Sequence, residues 1–523
     1  MKQQPNLVFV FPDQYRIQSL GFWRQPPFEG LLRGGSDPVH TPNLDAFATE
    51  SLVLTRATST APVCSPFRGM LFSGCYPDRN GVPHNCGNDR PDCTFDTNIT
   101  SLTDVLTAAG YNCGYIGKYH LDYPHRFDPD RPDWYPGGWD VYTPPERRHG
   151  CSFWHSYGTF DVHKNPHYWD DSGNRHDPKR WSPLYEADVA CDYIRDHAAE
   201  ARRAPREERE TSHGERRAPA AQDKPFALFV AHNPPHTPNG SLIDCEEEDF
   251  RRYAGRDLKQ LLNRPNVDWN GNGNGTDAAP YYFAQVTGVD RAFGRILEAI
   301  DEAGIRDNTI VVFTSDHGEL LCSHGERGKN RIWSESFDIP FILRYPDKIQ
   351  PQTDDLLLTP VDIMPTLLGL MQDEGCKMQD LPEMDGTDYS TLWAADAAEA
   401  RRAPGVPQRS SEPSSGERRA SAASGHSRPT SAPFIRNKPG PRDPDGLHCG
   451  YVPDARGIKT HRHTLVFEDL QDGAPSPLLF DNDTDPHQLT PLPLEENRKL
   501  VEELTDELTK HCEMIDNRWR PPK

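Results

Sequence analysis

At 523 residues the chain is long enough for one large core and a smaller second domain. Its formal charge of −22 argues against nucleic acid as a partner. The 12 cysteines include no Cys-x-x-Cys pair, which argues against zinc, and no apolar stretch is long enough to span a membrane.

The first residues, Met1 to Pro5, lead directly into an apolar run, Asn6 to Phe11, with no signal region before it. As given, the chain reads as cytoplasmic; a periplasmic or secreted protein would follow if an upstream signal had been trimmed. The run is a strand by composition and ends abruptly in Pro12-Asp13-Gln14. A short helix ending over Asp45 to Glu50 follows Thr41-Pro42-Asn43-Leu44. Next comes Cys64-Ser65-Pro66-Phe67-Arg68, of the form Cys-x-Pro-x-Arg. Pro66 fits the first turn of a helix, where its missing N–H costs nothing. Cys64 then lies near a helix N-terminus, where exposed N–H groups and the macrodipole favour an anion. Cys75, Cys86 and Cys93 lie close together, and both a disulfide and free thiols are open readings.

Three further runs share the design of the first. Tyr111 to Ile116 passes into Gly117-Lys118-Tyr119-His120, Phe226 to Ala231 into His232-Asn233-Pro234-Pro235-His236, and Thr309 to Phe313 into Thr314-Ser315-Asp316-His317-Gly318. Unbroken Val/Ile/Phe runs mark strands buried on both faces, as in parallel sheets, and open α/β sheets bind ligands beyond the carboxyl ends of their strands. Four strands therefore bring Asp13, Gln14, Lys118, His120, His236, Asp316 and His317 to one rim.

Trp134 to Trp181 is rich in aromatics and histidines, which either line a pocket or pack over the sheet. Ala198 to Gln222 and Ala397 to Pro433 share Ala-Glu-Ala-Arg-Arg-Ala-Pro and Gly-Glu-Arg-Arg-Ala, and read as related, disordered-like insertions rather than basic binding arms. Asn270 to Asp277 reads as a flexible loop, and Tyr281 to Glu302 as a core-facing helix. The expected fold is α/β: a large, mostly parallel central sheet flanked by helices, with a smaller C-terminal α+β subdomain. The expected domains are 1–395, holding the 198–222 insertion, then an insertion over 396–433, and the subdomain over 434–523.

With these segments in view, the chain resembles the type I sulfatases of the alkaline phosphatase superfamily from Pro5 to about Pro346, with weaker echoes to about Leu492. The resemblance rests on Cys64 to Arg68, Gly117-Lys118-Tyr119-His120-Leu121, Pro235-His236-Thr237-Pro238, Ser315-Asp316-His317-Gly318 and His324-Gly325-Glu326-Arg327-Gly328-Lys329. Val361 to Thr366 and Leu479 to Pro486 also fit it. Three positions depart from the commonest pattern: Phe67 replaces a small residue, Gln14 a second Asp, and His317 an Asn.

The resemblance implies hydrolysis of a sulfate ester, most naturally on a carbohydrate. It implies that a formylglycine-generating enzyme converts Cys64 to formylglycine, whose hydrate is the nucleophile. It implies calcium held by Asp13, Gln14, Asp316, His317 and the modified Cys64. Arg68, Lys118 and Lys329 become sulfate clamps, with Arg68 also bracing the formylglycine. His236 becomes the acid for the leaving alcohol, with Lys329 nearby, and His120 the base that expels sulfate. The net charge provides no steering of a polyanion, so a small or singly sulfated fragment suits the chain better than a long polymer. Asp-Gln and Asp-His pairs also occur in the family's phosphonate and phosphodiester hydrolases, which makes such an enzyme the first alternative. A non-catalytic sulfated-glycan binder is the alternative of another class.

Overall fold

The computed structural model describes residues 4–87, 93–122, 142–203, 224–269, 276–372, 381–393, 428–436, 455–468 and 477–514. Its centre is a ten-stranded sheet. The strands are β1 (Asn6–Val10), β2 (Leu52–Leu54), β3 (Asn112–Lys118), β4 (Phe153–Tyr157), β5 (Tyr168–Asp170), β6 (Arg175–His176), β7 (Phe226–Ala231), β8 (Thr309–Thr314), β9 (Phe341–Arg344) and β10 (Gln352–Asp354). Their spatial order is β10-β2-β9-β8-β1-β7-β3-β4-β5-β6. The five central neighbours, β8, β1, β7, β3 and β4, are mutually parallel, and antiparallel pairs appear only outside them.

Side chains alternate across this sheet because successive residues of a strand face opposite ways. Val8 and Val10 enter a core built with the helices Ser182–Arg203 and Ala279–Glu302. Leu7, Phe9 and Phe11 enter a second core with the helices Cys64–Ser73 and Pro360–Met371. Both faces are covered, so β1, β7 and β8 are buried at every residue. Phe67, the departure in the Cys-x-Pro-x-Arg segment, is completely buried in the second core.

A second sheet of four antiparallel strands follows: β11 (Ser431–Arg436), β12 (Ala455–Thr460), β13 (His463–Glu468) and β14 (Leu478–Asp481). The helix Arg498–Met514 covers it with Leu504, Leu508 and Cys512. Buried ion pairs hold the long segment after β8. Arg264 reaches Glu335 at 2.6 Å, and Asn266 donates to the same carboxylate at 2.7 Å. Burial alone would raise the Glu335 pKa, but Arg264, Arg16 and His324 hold it well below the usual range.

Several sequence expectations change here. The helix Ser182–Arg203 runs six residues into the segment read as disordered-like, because Ala-Glu-Ala-Arg-Arg is strongly helix-forming. The second such segment was expected to end at Pro433, yet Ser431, Ala432 and Pro433 are buried in β11. Residues 204–223 and 394–427 of these segments, and 270–275 of the Asn270 loop, lie outside the described residues. So do Trp134, Tyr135 and Trp139, whereas Trp154, Tyr157, Tyr168, Trp169 and Trp181 are buried, as packing over the sheet requires. Cys75, Cys86 and Cys93 are free thiols; the Cys93 thiol donates to the His84 carbonyl at 3.0 Å instead. Among the described residues no helix is long and apolar enough to cross a membrane.

Candidate active site

All ten expected site residues meet at the carboxyl ends of β1, β3, β7 and β8, with the N-terminus of the Cys64–Ser73 helix among them. Cys64 is the first residue of that helix and only 1% exposed. Val63 before it is extended, Pro66 occupies the first turn, and Gly74 ends the helix in the left-handed region at φ 64°.

The inner part of the site is a charge cluster. Asp13 receives Lys118 Nζ at 2.8 Å and an Arg68 nitrogen at 3.3 Å. The same Arg68 nitrogen lies 3.3 Å from Asp316. Asp316 accepts from the backbone N–H of Gln14 at 3.0 Å and of His317 at 2.9 Å. Burial opposes ionisation of Asp13, but Lys118, His236 and Lys329 outweigh it and hold the carboxyl well below its usual range. Asp316 goes the other way, pushed up to about 6 by burial and by the charge of Asp13.

His317 donates through Nδ1 to the Gly318 carbonyl at 3.0 Å, so Nε2 is the nitrogen that faces inward. It lies 3.4 Å from Asp13, 3.6 Å from Asp316 and 3.4 Å from the Cys64 sulfur. A ring nitrogen fixed on a carbonyl with the other aimed at carboxylates is the usual posture of a metal-ligating imidazole. Gly318 is required for that turn, because a Cβ there would stand 2.0 Å from the Glu335 carbonyl oxygen. The Gln14 amide donates to Glu319, which points its oxygen toward Lys329 at 3.4 Å. Ligand atoms of Asp13, Cys64, Asp316 and His317 all lie within 4.8 Å of one another, a spacing that fits one cation.

Around the sulfur, Lys329 Nζ lies at 3.0 Å and Lys118 Nζ at 4.0 Å. Burial and Asp13 push the Cys64 thiol up, but Lys118, Lys329 and His317 outweigh them and lower it well below its usual value. His120 donates through Nε2 to the Cys86 carbonyl at 3.1 Å, which leaves Nδ1, buried without a hydrogen-bond partner among the described residues, as the nitrogen that can take up a proton. Burial lowers its pKa, which keeps the ring neutral and able to accept a proton. Gly117, in the left-handed region, lets β3 pass β7 where a Cβ would be 2.2 Å from the Ala231 oxygen, and so sets Lys118 on the rim.

Arg68, expected as a sulfate clamp that also braces the formylglycine, is fully buried. Its two terminal nitrogens meet Asp13, Asp316, the Lys118 carbonyl at 2.6 Å and the Tyr115 hydroxyl. Its contacts are those of a brace under the two carboxylates.

His236 stands at the outer edge, with a side chain 12% exposed. Nε2 meets Lys329 Nζ at 2.9 Å, and Nδ1 meets the Thr237 carbonyl at 2.8 Å and an Asp161 oxygen at 3.1 Å. Burial and Lys329 work against its protonation, but Asp161 and Asp13 outweigh them and raise its pKa to about 9. Three participants had escaped the sequence reading. Asn233 sits inside a segment already singled out and Glu319 directly follows another, each next to residues with clearer chemistry. Asp161 lies among the aromatics of the Trp134 to Trp181 stretch and carries no local signal.

The comparisons agree with this geometry. Residues 5–373 match the family model described as Sulfatase. The chain is 44% identical over 530 residues to an endo-4-O-sulfatase of Bacteroides thetaiotaomicron, covering 100% of this chain and 94% of the relative. It is 30% identical over 389 residues to an ulvan-active sulfatase of Formosa agariphila, covering 73% and 65%. A solved structure from work on the metabolism of multiple glycosaminoglycans by Bacteroides thetaiotaomicron superposes with a TM-score of 0.83 at 44% identity, over 99% of this chain and 98% of that one. Ten residues from six separate segments share one rim, and the whole chain aligns with sulfatases in sequence and in fold: it belongs to the sulfatase family, and is a sulfuric ester hydrolase.

Proposed function

We propose that the chain removes sulfate from a sulfated saccharide, using formylglycine made from Cys64 by a formylglycine-generating enzyme and calcium held by Asp13, Gln14, Asp316, His317 and the modified Cys64. The observation that carries this reading is the buried cluster of four ligand residues around a sulfur flanked by Lys118 and Lys329. The donor set fits a hard cation. Two carboxylates and an amide oxygen supply oxygen ligands, and the Nε2 of His317 adds a nitrogen. Burial, and after it the charge of Asp13, pushes Asp316 toward its neutral form, a cost that a divalent cation between the two carboxylates would relieve.

Formylglycine supplies a hydrated aldehyde with one hydroxyl to take the sulfuryl group and a second to release it. Calcium supplies a positive centre that orients the sulfate oxygens. The remaining steps belong to side chains. Lys118 and Lys329 bracket the position of the Cys64 sulfur and neutralise sulfate charge. Asp316, with a carboxylate oxygen within 4.8 Å of the Cys64 sulfur, would help deprotonate the attacking hydroxyl. His236 gives a proton to the departing alcohol from Nε2, beside Lys329. His120, neutral and next to Cys64, takes the proton whose removal frees sulfate. The two environments set opposite states: His236 is held charged, as an acid requires, and His120 neutral, as a base requires.

The relative named endo-4-O-sulfatase and the glycosaminoglycan study behind the solved neighbour make a 4-O-sulfated glycosaminoglycan oligosaccharide the first substrate to try. The test joins mass spectrometry of the peptide carrying Cys64, metal analysis, and turnover of that oligosaccharide beside a phosphonate monoester and a phosphodiester. Formylglycine, one calcium per chain and preference for the sulfate are expected. An intact thiol in an active preparation, or faster phosphonate or phosphodiester cleavage, overturns the reading.

A further inference from the structure

We propose that Asp161 is the positioning residue of the acid His236: its carboxylate fixes the proton on Nδ1 and stabilises the charged ring, so that Nε2 alone delivers a proton to the leaving oxygen. This rests on His236 being the acid of the reaction proposed above. Nδ1 faces two acceptors, the Asp161 carboxylate at 3.1 Å and the Thr237 carbonyl at 2.8 Å, and neither can donate to it. Nδ1 therefore always carries its hydrogen, and Nε2 is the titrating atom. A carbonyl alone would fix the tautomer; a carboxylate also favours the imidazolium, the form that an acid needs.

The charges facing His236 are Lys329, Lys118, Asp13 and Asp161, and His163 lies behind Asp161. The two lysines oppose protonation, and Lys329 competes directly at 2.9 Å from Nε2. Asp13 also favours the charged ring, but it is shared with its own partners, Lys118 at 2.8 Å and Arg68 at 3.3 Å. Asp161 is the anion in contact with the ring, and His236 and Lys118 hold its own pKa well below the usual range.

Asp161 is held in place although it lies in a loop. Asn233 donates to its carboxylate at 3.3 Å and to the Phe160 carbonyl at 3.2 Å, while accepting from Lys118 Nζ at 3.1 Å. A chain of hydrogen bonds, Lys118 to Asn233 to Asp161 to His236, thereby joins the sulfate side of the site to the leaving-group side. The loop is pinned on both flanks: His120 N–H donates to the Gly158 carbonyl at 3.0 Å, and Ser182 N–H donates to the His163 carbonyl at 2.8 Å.

The full-length matured enzyme, as wild type, Asp161→Asn, Asp161→Ala and His236→Ala, is assayed on a 4-O-sulfated oligosaccharide and on 4-nitrophenyl sulfate, with kcat and KM measured across pH. Asp161→Asn keeps the shape and removes the charge, and turnover of the aryl ester reports an intact fold. Both Asp161 variants should lower kcat on the oligosaccharide by about 10- to 100-fold, part of the roughly 10²–10⁴-fold that a positioned acid supplies. KM and aryl ester turnover should hardly change, and the alkaline limb of kcat on the oligosaccharide should move to lower pH. If His236→Ala is selective for the oligosaccharide but Asp161→Asn leaves kcat and the alkaline limb unaltered, or raises only KM, the proposal is wrong and the acid assignment survives. If His236→Ala harms both substrates equally, the acid assignment itself fails and the proposal fails with it.

Discussion

The inner and outer halves of the site are built differently. Asp13, Arg68, Asp316 and His317 are fully buried, and all four sit just past the ends of β1 and β8 or on the helix between them in sequence. Each meets at least two of the others or a backbone group, so no one of them moves without stranding a buried charge. His236, Asp161 and Lys329 come from loops, remain partly open to the cleft, and meet through single contacts. The inner half behaves as part of the core and has one arrangement. The outer half is where reactivity is adjusted without endangering the fold.

The sharpest way to break that contrast is through the sulfur at its boundary. Cys64→Ala should lower turnover by roughly 10⁴-fold or more while leaving the melting temperature near that of the wild type, since one small buried group is lost. Residual activity near the wild-type level, after purification free of the parent enzyme, removes Cys64 from the reaction.

Asp13→Ala should eliminate bound metal and activity together, and should destabilise the protein by about 3–5 kcal/mol because Lys118 and Arg68 lose their shared buried anion. Calorimetry and metal analysis read the two effects separately. An inner residue that can be removed at no cost in stability would erase the distinction between the halves.

His236→Ala should cost about 10²–10⁴-fold on sugar sulfates and far less on activated aryl sulfates, because a phenolate of low pKa leaves without a proton. Its melting temperature should be unchanged. A clear loss of stability would place His236 in the inner half after all.

The resemblance of the four runs to buried parallel strands was decisive for legibility. β1, β3, β7 and β8 read correctly because unbroken apolar runs cannot hide their ends, and Asp13, Lys118, His236 and Asp316 stand at those ends. Cys64 and Arg68 carry a local signature. Glu319, Asn233 and Asp161 have none, since their roles come from contacts made across 75 to 305 residues of chain: Glu319 with Gln14, Asn233 with Lys118, Asp161 with His236. A bracing Arg68 was expected, but its contacts with Asp13 and Asp316 were not legible, because a cation in a motif does not show which side of the carboxylates it occupies. Helix continuation past Ala198 was missed because composition that lacks a core pattern says nothing against local helix.

The smallest expected effect lies beneath both halves, at Glu335. Its folded pKa is depressed, so the stability from its ion pair with Arg264 is fully present above the unfolded carboxylate value of about 4.3 and is lost as pH falls below it. Glu335→Gln should therefore melt lower than the wild type at pH 7, and the difference should shrink as the pH is taken below about 4. A gap that stays constant with pH in thermal melts would show that packing, rather than charge, is what Glu335 provides.

The burial of Cys64 has a consequence for timing. Cys64, Pro66 and Arg68 form the pattern that a maturation enzyme would read, and all three are sealed in the finished fold, with the thiol 1% exposed and Arg68 fully enclosed. An enzyme large enough to oxidise a cysteine cannot reach one that is the first residue of a packed helix under two carboxylates. On the reading proposed above, conversion of Cys64 would therefore have to precede folding, while this segment is still an extended peptide. The fraction of active molecules would then be set by kinetic partitioning during synthesis, and a folded chain carrying the thiol would keep it until it unfolds.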